Sequence, residues 1–382
     1  MWYLQIDTLC IMLGFSVLFV LAGQLLRKWK RSARLMPFLV IFDLALIAYV
    51  SEKLAAFYLA YTAGSYLLIW LLRRAERGRR PLFVLFCLLD TAPFFFVRLA
   101  PVSTGSLFYI TLIGFAYNML KAVDGLFFVY YTKQEIRPLA YANFLLFFPV
   151  VTAGPIFRYR DFIKYYDRPQ PLTAAVCEKC VKRLILGLFK KMVLVFWAQA
   201  LLNRALQMGQ HFYVSFALTA LSYAILFLDL SGYSDIAIAV GTFIGVPVPE
   251  NFKNPLTAAS FTQFWRKWHV TLSDWIREHI FVVVSGKRLN KYQSALIGLG
   301  TMVIMGLWYE FSPVTLVDGV YMGAFLAVEN IFGWTTADRR HTNKAVYALR
   351  CLMVTFFFGI NAMTYALSGT QMAQALGGFF KW

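Results

Sequence analysis

The chain has 382 residues, 60% of them hydrophobic and 18% aromatic, with a mean hydropathy of +0.61. That is more apolar side chain than one water-soluble core can hide, so the sequence reads as a membrane protein and excludes a large soluble domain. Only 15% of residues are charged, yet 37 Lys and Arg outnumber 19 Asp and Glu, and the resulting net charge of +18 must collect in loops and ends.

In chain order, apolar windows predict spans at 4–26, 36–50, 52–72, 81–100, 105–131, 138–153, 181–205, 212–246, 292–310, 313–333 and 346–368. At about 20 residues per crossing this is a bundle of about eleven transmembrane helices. The runs are continuous Leu, Phe, Ala, Val and Ile, not the alternating segments of a β-barrel, so the fold class is all-α, a polytopic membrane helical bundle. No fixed-period repeat and no Ser/Gly-rich or Pro-rich linker divides the sequence, which reads as one integral membrane domain over 1–382. The first apolar run lacks a basic lead and continues past Leu25, which argues against a cleaved signal peptide.

Orientation follows from the basic residues. Arg27, Lys28, Lys30, Arg31 and Arg34 form one cluster, and Arg73, Arg74, Arg77, Arg79 and Arg80 form another two spans later. Both therefore face one side, expected to be the cytoplasm of a multi-pass cell-membrane protein. The uncharged loop around Pro101, Ser103 and Gly105 is expected to face outward, as is the N-terminus. Such basic loops also suit an acidic partner or anionic membrane lipid.

Cys10, Cys87, Cys177, Cys180 and Cys351 give no disulfide framework, and the single CxxC pair, Cys177 and Cys180, has no second pair or histidine in sequence reach. His211, His269, His279 and His341 are too dispersed for ligand spacing, so no metal site is expected. Nucleic-acid binding would need a soluble basic surface, for which there is no candidate.

Three polar clusters interrupt the apolar pattern. In the first, Gly154 and Pro155 end a helix and are followed by Arg158 and Arg160, either basic flanks of a span or holders of a phosphate or carboxylate. The second, Leu230, Ser231, Gly232, Tyr233, Ser234 and Asp235, pairs small residues that permit close helix contact with a carboxylate that has no cation within a helical turn. Asp235 accordingly needs a hydrogen-bonding network or a water-filled cavity.

The third runs from Phe252 to Ser285 and contains FTQFWRKWHVTLSDWIREHIF. Trp265, Trp268 and Trp275 fit an interfacial amphipathic helix with snorkelling Arg266, Lys267 and Arg277. On a continuous helix Trp265, His269 and Ser273 would share one face, placing an imidazole beside a hydroxyl, whereas His279 would point elsewhere. His269 is either a satisfied hydrogen-bonding residue or a proton-transfer group.

In this order the segments FFPVVTAGPIFRYRDF, DLSGYSDIAIAVGTFIGVPVPENFKNP, FTQFWRKWHVTLSDWIREHIF and IMGLWYEFS resemble the membrane-bound O-acyltransferase family. The resemblance covers about 141–325 and is most specific in SGYSD, PENF and FWRKWHVTLSDWIRE. Length resembles the branch that transfers D-alanine to teichoic acids, and the alginate-acetylating branch shares the motifs. The resemblance implies helices around a central tunnel, with re-entrant helices carrying the site. The implied donor is an acyl thioester, from a phosphopantetheinyl acyl carrier protein or coenzyme A on the cytoplasmic face, with no bound cofactor. The acceptor is a hydroxyl of an envelope polymer, reached directly or through an extracytoplasmic accessory transferase.

By that resemblance the substrate-binding residues are Arg158, Arg160, Tyr233, Ser234, Asp235, Asn251, Trp265, Arg266, Ser273, Arg277 and Trp308, and the catalytic ones His269, Tyr309 and Glu310. Family members carry a histidine where this sequence has Tyr309. A phenol with a pKa of about 10 is a poor base at neutral pH. Three readings follow. His269 takes the proton, with Tyr309 donating to the oxyanion and Glu310 orienting the imidazole; or Glu310, buried, is the base; or the fold persists without chemistry, as a transporter or scaffold. Transporters often show paired discontinuous helices in two related halves, whereas here the polar clusters all fall after Gly154, with no counterpart before it, and that asymmetry favours the acyltransferase.

Overall fold

The structure is a computed structural model that describes residues 6–28, 35–99, 114–285 and 289–381. The loop with Pro101, Ser103 and Gly105, and the basic residues Lys30, Arg31 and Arg34, lie outside the described residues. Those described form helices and no strands. Seven are long and apolar enough to cross a membrane: Asp7–Leu25, Glu52–Arg74, Arg79–Arg98, Ala174–Leu206, Phe212–Phe243, Pro313–Phe332 and Lys344–Ala366. Shorter apolar helices complete a polytopic helical bundle, and large apolar side chains such as Leu18, Phe96, Phe196, Leu296 and Leu352 stay exposed, as lipid-facing surfaces require.

The helices are α1 Ile6–Lys28, α2 Leu39–Val50, α3 Glu52–Arg74, α4 Arg79–Leu99, α5 Phe115–Thr132, α6 Pro138–Leu146 and α7 Tyr159–Asp167. There follow α8 Ala174–Leu206, α9 Phe212–Phe243, the short α10 Phe261–Trp265 and α11 Val270–Ile276, α12 Lys291–Tyr309, α13 Pro313–Phe332, α14 Lys344–Ala366 and α15 Gly369–Gly378. Two compact units emerge: Met1–Leu184 with Ile236–Pro249, and Ile185–Asp235 with Glu250–Trp382.

In the first unit the predicted span at 138–153 is broken. Its helix ends at Leu146, well before Gly154, because Pro149 has no N–H to continue the ladder. The orphaned C-terminal carbonyls of α6 are taken up from a neighbouring helix: Lys121 Nζ donates to Leu145 O at 2.9 Å and to Phe144 O at 3.3 Å. Asp43 Oδ1 accepts from Phe148 N at 3.2 Å, and Asp124 Oδ2 accepts from Tyr159 N at 2.7 Å where α7 begins. On α3 and α4, Ser65 Oγ donates to Asp90 at 2.9 Å. These groups are buried. The expectation that polar clusters occur only after Gly154 is thus corrected: α2, α4 and α5 carry buried charges, and Asp43, Lys121 and Asp124 among them satisfy irregular backbone.

Candidate functional site

The second unit begins with the pairing of α8 and α9 at the SGYSD segment. A Cβ on Gly232 would lie 2.9 Å from Gly187 O and 3.2 Å from Lys190 Cβ, so only glycine permits this approach. The contact brings a cation to each side of it. Lys190 Nζ lies 2.6 Å from Asp235 Oδ2, and Lys191 pairs with Asp229. Two successive lysines reach carboxylates six residues apart because α8 widens into a π turn over Phe189–Leu194. Asp235 therefore finds its cation on another helix. Asp229 also accepts from Tyr365 Oη of α14 at 3.1 Å.

From Glu250 onward the backbone is irregular, and Asn251 organises it. Its Oδ1 accepts from Thr271 Oγ1 at 2.9 Å, its backbone carbonyl accepts from Val270 N at 2.9 Å, and its Nδ2 donates to Ser234 Oγ at 3.3 Å. Ser234 Oγ in turn donates to Leu230 O at 2.9 Å. Asn251 and Ser234, expected to bind substrate, are thus occupied in joining the PENF loop to α9 and α11. Glu329 of α13 holds the start of α10, accepting from Phe261 N at 2.6 Å and from Thr262 N and Oγ1 at 2.8 Å each. An anionic side chain at exposed N–H groups is the favourable arrangement for a helix start.

The continuous helix expected through the tryptophans is interrupted. His269 adopts the left-handed conformation, φ 43° and ψ 51°, and separates α10 from α11, so Trp265, His269 and Ser273 do not share a helical face. Its carbonyl accepts from the amides of Leu272 and Ser273, starting α11. The interfacial-anchor reading of the tryptophans also falls. Trp268 is 2% exposed, with ring centroids 4.7 Å from Phe358, 5.1 Å from Phe252 and 5.3 Å from Phe264. Trp275 is buried and stacks on His279 at 4.4 Å. Burial in an aromatic cluster outweighs interfacial anchoring because the rings find partners inside the protein.

The end of α10 and its link to α11 border a cavity of about 390 Å³. It forms where α12 and α13 cross. A Cβ on Gly306 would lie 2.3 Å from Thr315 O, and one on Gly319 would lie 2.7 Å from Val303 Cα. Gly323 continues the contact, so Gly319 and Gly323 form a small-xxx-small stripe that brings the backbones together. Ser312 caps α13 through Thr315 N at 3.3 Å, with Pro313 in its first turn. Trp265 and Trp268, Tyr309 and Glu310 all line the cavity, as do Asp318 on α13 and Asn361 on α14. Tyr309 is 45% exposed, its ring 5.0 Å from the buried Trp308. The indole Nε1 of Trp265 is buried without a hydrogen-bond partner among the described residues.

The structure therefore brings together Trp265, Tyr309 and Glu310, with Trp308 behind them. His269 is 1% exposed and does not line the cavity, although the preceding Trp268 does. It lies between helices too short to cross a membrane, and burial lowers its imidazole pKa to about 4, leaving it neutral at pH 7. Tyr233 is buried. Ser273 Oγ donates to Trp268 O at 3.3 Å. Arg277 pairs with Asp274 at 2.8 Å on an exposed face, and Arg266 is exposed. In the first unit, Arg158 is buried at the start of α7 and Arg160 is exposed, 3.7 Å from Asp161. Among the described residues no group of three metal-ligating side chains occurs. Sequence reading missed Asp318, Asn361, Thr364 and Tyr365, all of which line the cavity. A carboxylate inside the apolar run at 313–333 was the available signal for the first of them.

The pattern that defines the membrane-bound O-acyltransferase family, MBOAT, matches residues 130–368. The chain belongs to this family. This MBOAT chain is 29% identical over 276 residues to the probable alginate O-acetylase AlgI of Pseudomonas fluorescens, covering 71% of the chain and 55% of that protein. It is 26% identical over 350 residues to the teichoic acid D-alanyltransferase of Streptococcus thermophilus, covering 84% and 81%. It is 28% identical over 230 residues to the peptidoglycan O-acetyltransferase of Helicobacter pylori, covering 58% and 42%. The chain spans about half the length of the alginate relatives it matches. The matched residues contain the whole cavity lining.

Proposed function

We propose that this MBOAT protein transfers an acyl group from a cytoplasmic thioester donor to a hydroxyl of a cell-envelope polymer. The observation that carries the reading is the cavity itself: the aromatic wall of the FWRKW segment meets Tyr309 and Glu310 of the GLW segment around one space. Transfer of an acyl group to a hydroxyl needs removal of the hydroxyl proton, stabilisation of an oxyanion and exclusion of water. Trp265, Trp268, Met302, Met305 and Met322 supply apolar walls that exclude water. Tyr309 supplies an O–H donor for the oxyanion, and His269, neutral and buried, supports the segment that carries the wall through its carbonyl bonds to the amides of Leu272 and Ser273.

The named relatives acetylate or D-alanylate, and both groups are small enough for this cavity. The donor is an acyl carrier protein or coenzyme A thioester, attracted to the cytoplasmic basic loops, and a carrier's binding weakens with salt. The test is transfer by the purified protein in vesicles, with acetyl-coenzyme A or a D-alanyl carrier protein as donor and a mannuronate polymer or polyglycerol phosphate as acceptor. Ester formation by one pairing is expected. No ester from any pairing refutes the reading and leaves a fold retained for transport or scaffolding. Equal rates for the wild type, His269→Ala and Glu310→Gln would remove both residues from the mechanism.

A further inference from the structure

We propose that Asp318 is a catalytic residue of this cavity, the group that takes the proton from the acceptor hydroxyl; the proposal rests on the acyl-transfer reading above. Tyr309 is a poor base, His269 does not line the cavity, and the proton therefore needs another acceptor there. Among the lining residues only Glu310 and Asp318 carry carboxylates, and Tyr309 and Tyr365 are the other titratable groups. Glu310 belongs to the link between α12 and α13, its side chain exposed and its carbonyl accepting from Thr315 Oγ1. Asp318 instead stands within α13, half-buried, in the same cavity wall as Asn361 and Thr364 of α14, where Thr364 Oγ1 donates to Asn361 O at 2.8 Å.

Its position is fixed by packing. The next residue, Gly319, is pressed against Met302 and Val303 of α12, and Gly306, one turn before Tyr309, is pressed against Thr315, one turn before Asp318. The phenol and the carboxylate thus border the same helix crossing, and neither helix can slide without a backbone clash. A carboxylate within an apolar helix is costly unless it lines a cavity or is held by polar partners. Asp318 lines this cavity, in the same wall as Asn361 and Thr364.

The step balances. The acceptor oxygen attacks the thioester carbonyl carbon as its proton passes to Asp318. The carbonyl electron pair moves to oxygen, and this oxyanion is received by the Tyr309 O–H, whose ring lines the cavity. Collapse re-forms the carbonyl and breaks the carbon–sulfur bond, and the proton on Asp318 passes to the departing thiolate. Ester and thiol result, with no oxidant or reductant.

The test uses the full-length protein in vesicles with the donor and acceptor pairing that the wild type accepts, and follows kcat, donor KM and the pH–rate profile. A general base is worth about 100-fold to 10,000-fold. Asp318→Asn is expected to lower kcat at least about 100-fold, with donor KM little changed and the acid limb of the profile lost. Asp318→Glu is expected to restore part of the rate together with that limb. A rate for Asp318→Asn within about threefold of the wild type, well short of a base's contribution, overturns the assignment and leaves acyl transfer standing. No ester from the wild type overturns both. If Asp318→Asn does not elute as a folded protein, Asp318→Glu decides. A wild-type rate from a carboxylate displaced by one methylene refutes a positioned base, and a slowed rate with an intact acid limb supports it.

Discussion

The crossing of α12 and α13 can be tested by a single methyl group. An alanine Cβ at Gly306 would lie 2.3 Å from Thr315 O and 3.4 Å from Gly319 Cα. Carbon–oxygen contacts close at about 3.3 Å, so the helices must part by about 1 Å. Gly300, six residues earlier on the same helix, has nothing within 4 Å of its Cβ position. Replacing glycine by alanine within a helix gains about 1 kcal/mol of propensity at either site. The difference between Gly306→Ala and Gly300→Ala thus isolates the steric term, expected to be about 1–3 kcal/mol. Because a displacement of about 1 Å at a reacting centre can cost about 100-fold in rate, Gly306→Ala should also slow acyl transfer steeply while Gly300→Ala leaves it unchanged. Equilibrium unfolding in detergent and initial rates in vesicles measure the two effects. Equal stability and equal rates for the two variants would refute the close crossing as the element that positions the cavity.

Two further outcomes follow from buried charge. The Lys191 side chain is 3% exposed beside Asp229, so Lys191→Met should destabilise the protein by about 3–5 kcal/mol, and Lys191→Met with Asp229→Leu should recover most of that loss. A double-mutant cycle of unfolding free energies reads the coupling, and a fully additive pair would show that the ion pair is not formed. His269 is held neutral down to about pH 4 against an ordinary value of 6.5. Between those values the unfolded chain takes up a proton that the folded chain refuses, so stability falls by about 1.4 kcal/mol per pH unit on acidification, about 3 kcal/mol in all. His269→Asn should flatten this slope in unfolding curves collected from pH 7 to pH 4, and an unchanged slope would place the responsible group elsewhere.

Helix class, the close contact at Gly232 and the convergence of the tryptophan segment with Tyr309 were legible because each is local: apolar runs, a small residue, a motif. Other features depended on partners distant in sequence. The cation for Asp235 comes from Lys190, 45 residues earlier on another helix, and only the π turn lets Lys190 and Lys191 both serve as cations. The shared face of Trp265, His269 and Ser273 was lost to one residue in the left-handed region, favoured by the Asn251 hydrogen bonds at Val270 and Thr271. The buried charges of α2, α4 and α5 were not legible because an average over an apolar window absorbs single residues such as Asp43 and Lys121. Asp318 was hidden by the same averaging.

Glu329 and Asp318 occupy the same helix, eleven residues apart, about 16 Å along its axis at 1.5 Å per residue. One end of α13 presents a carboxylate to the cavity, while the other grips the backbone from which the opposing indole, Trp265, is suspended. The two faces that would confront a substrate are therefore mechanically yoked: a tilt of α13 carries the carboxylate and the tryptophan wall together, so the gap between them is preserved while their common position shifts.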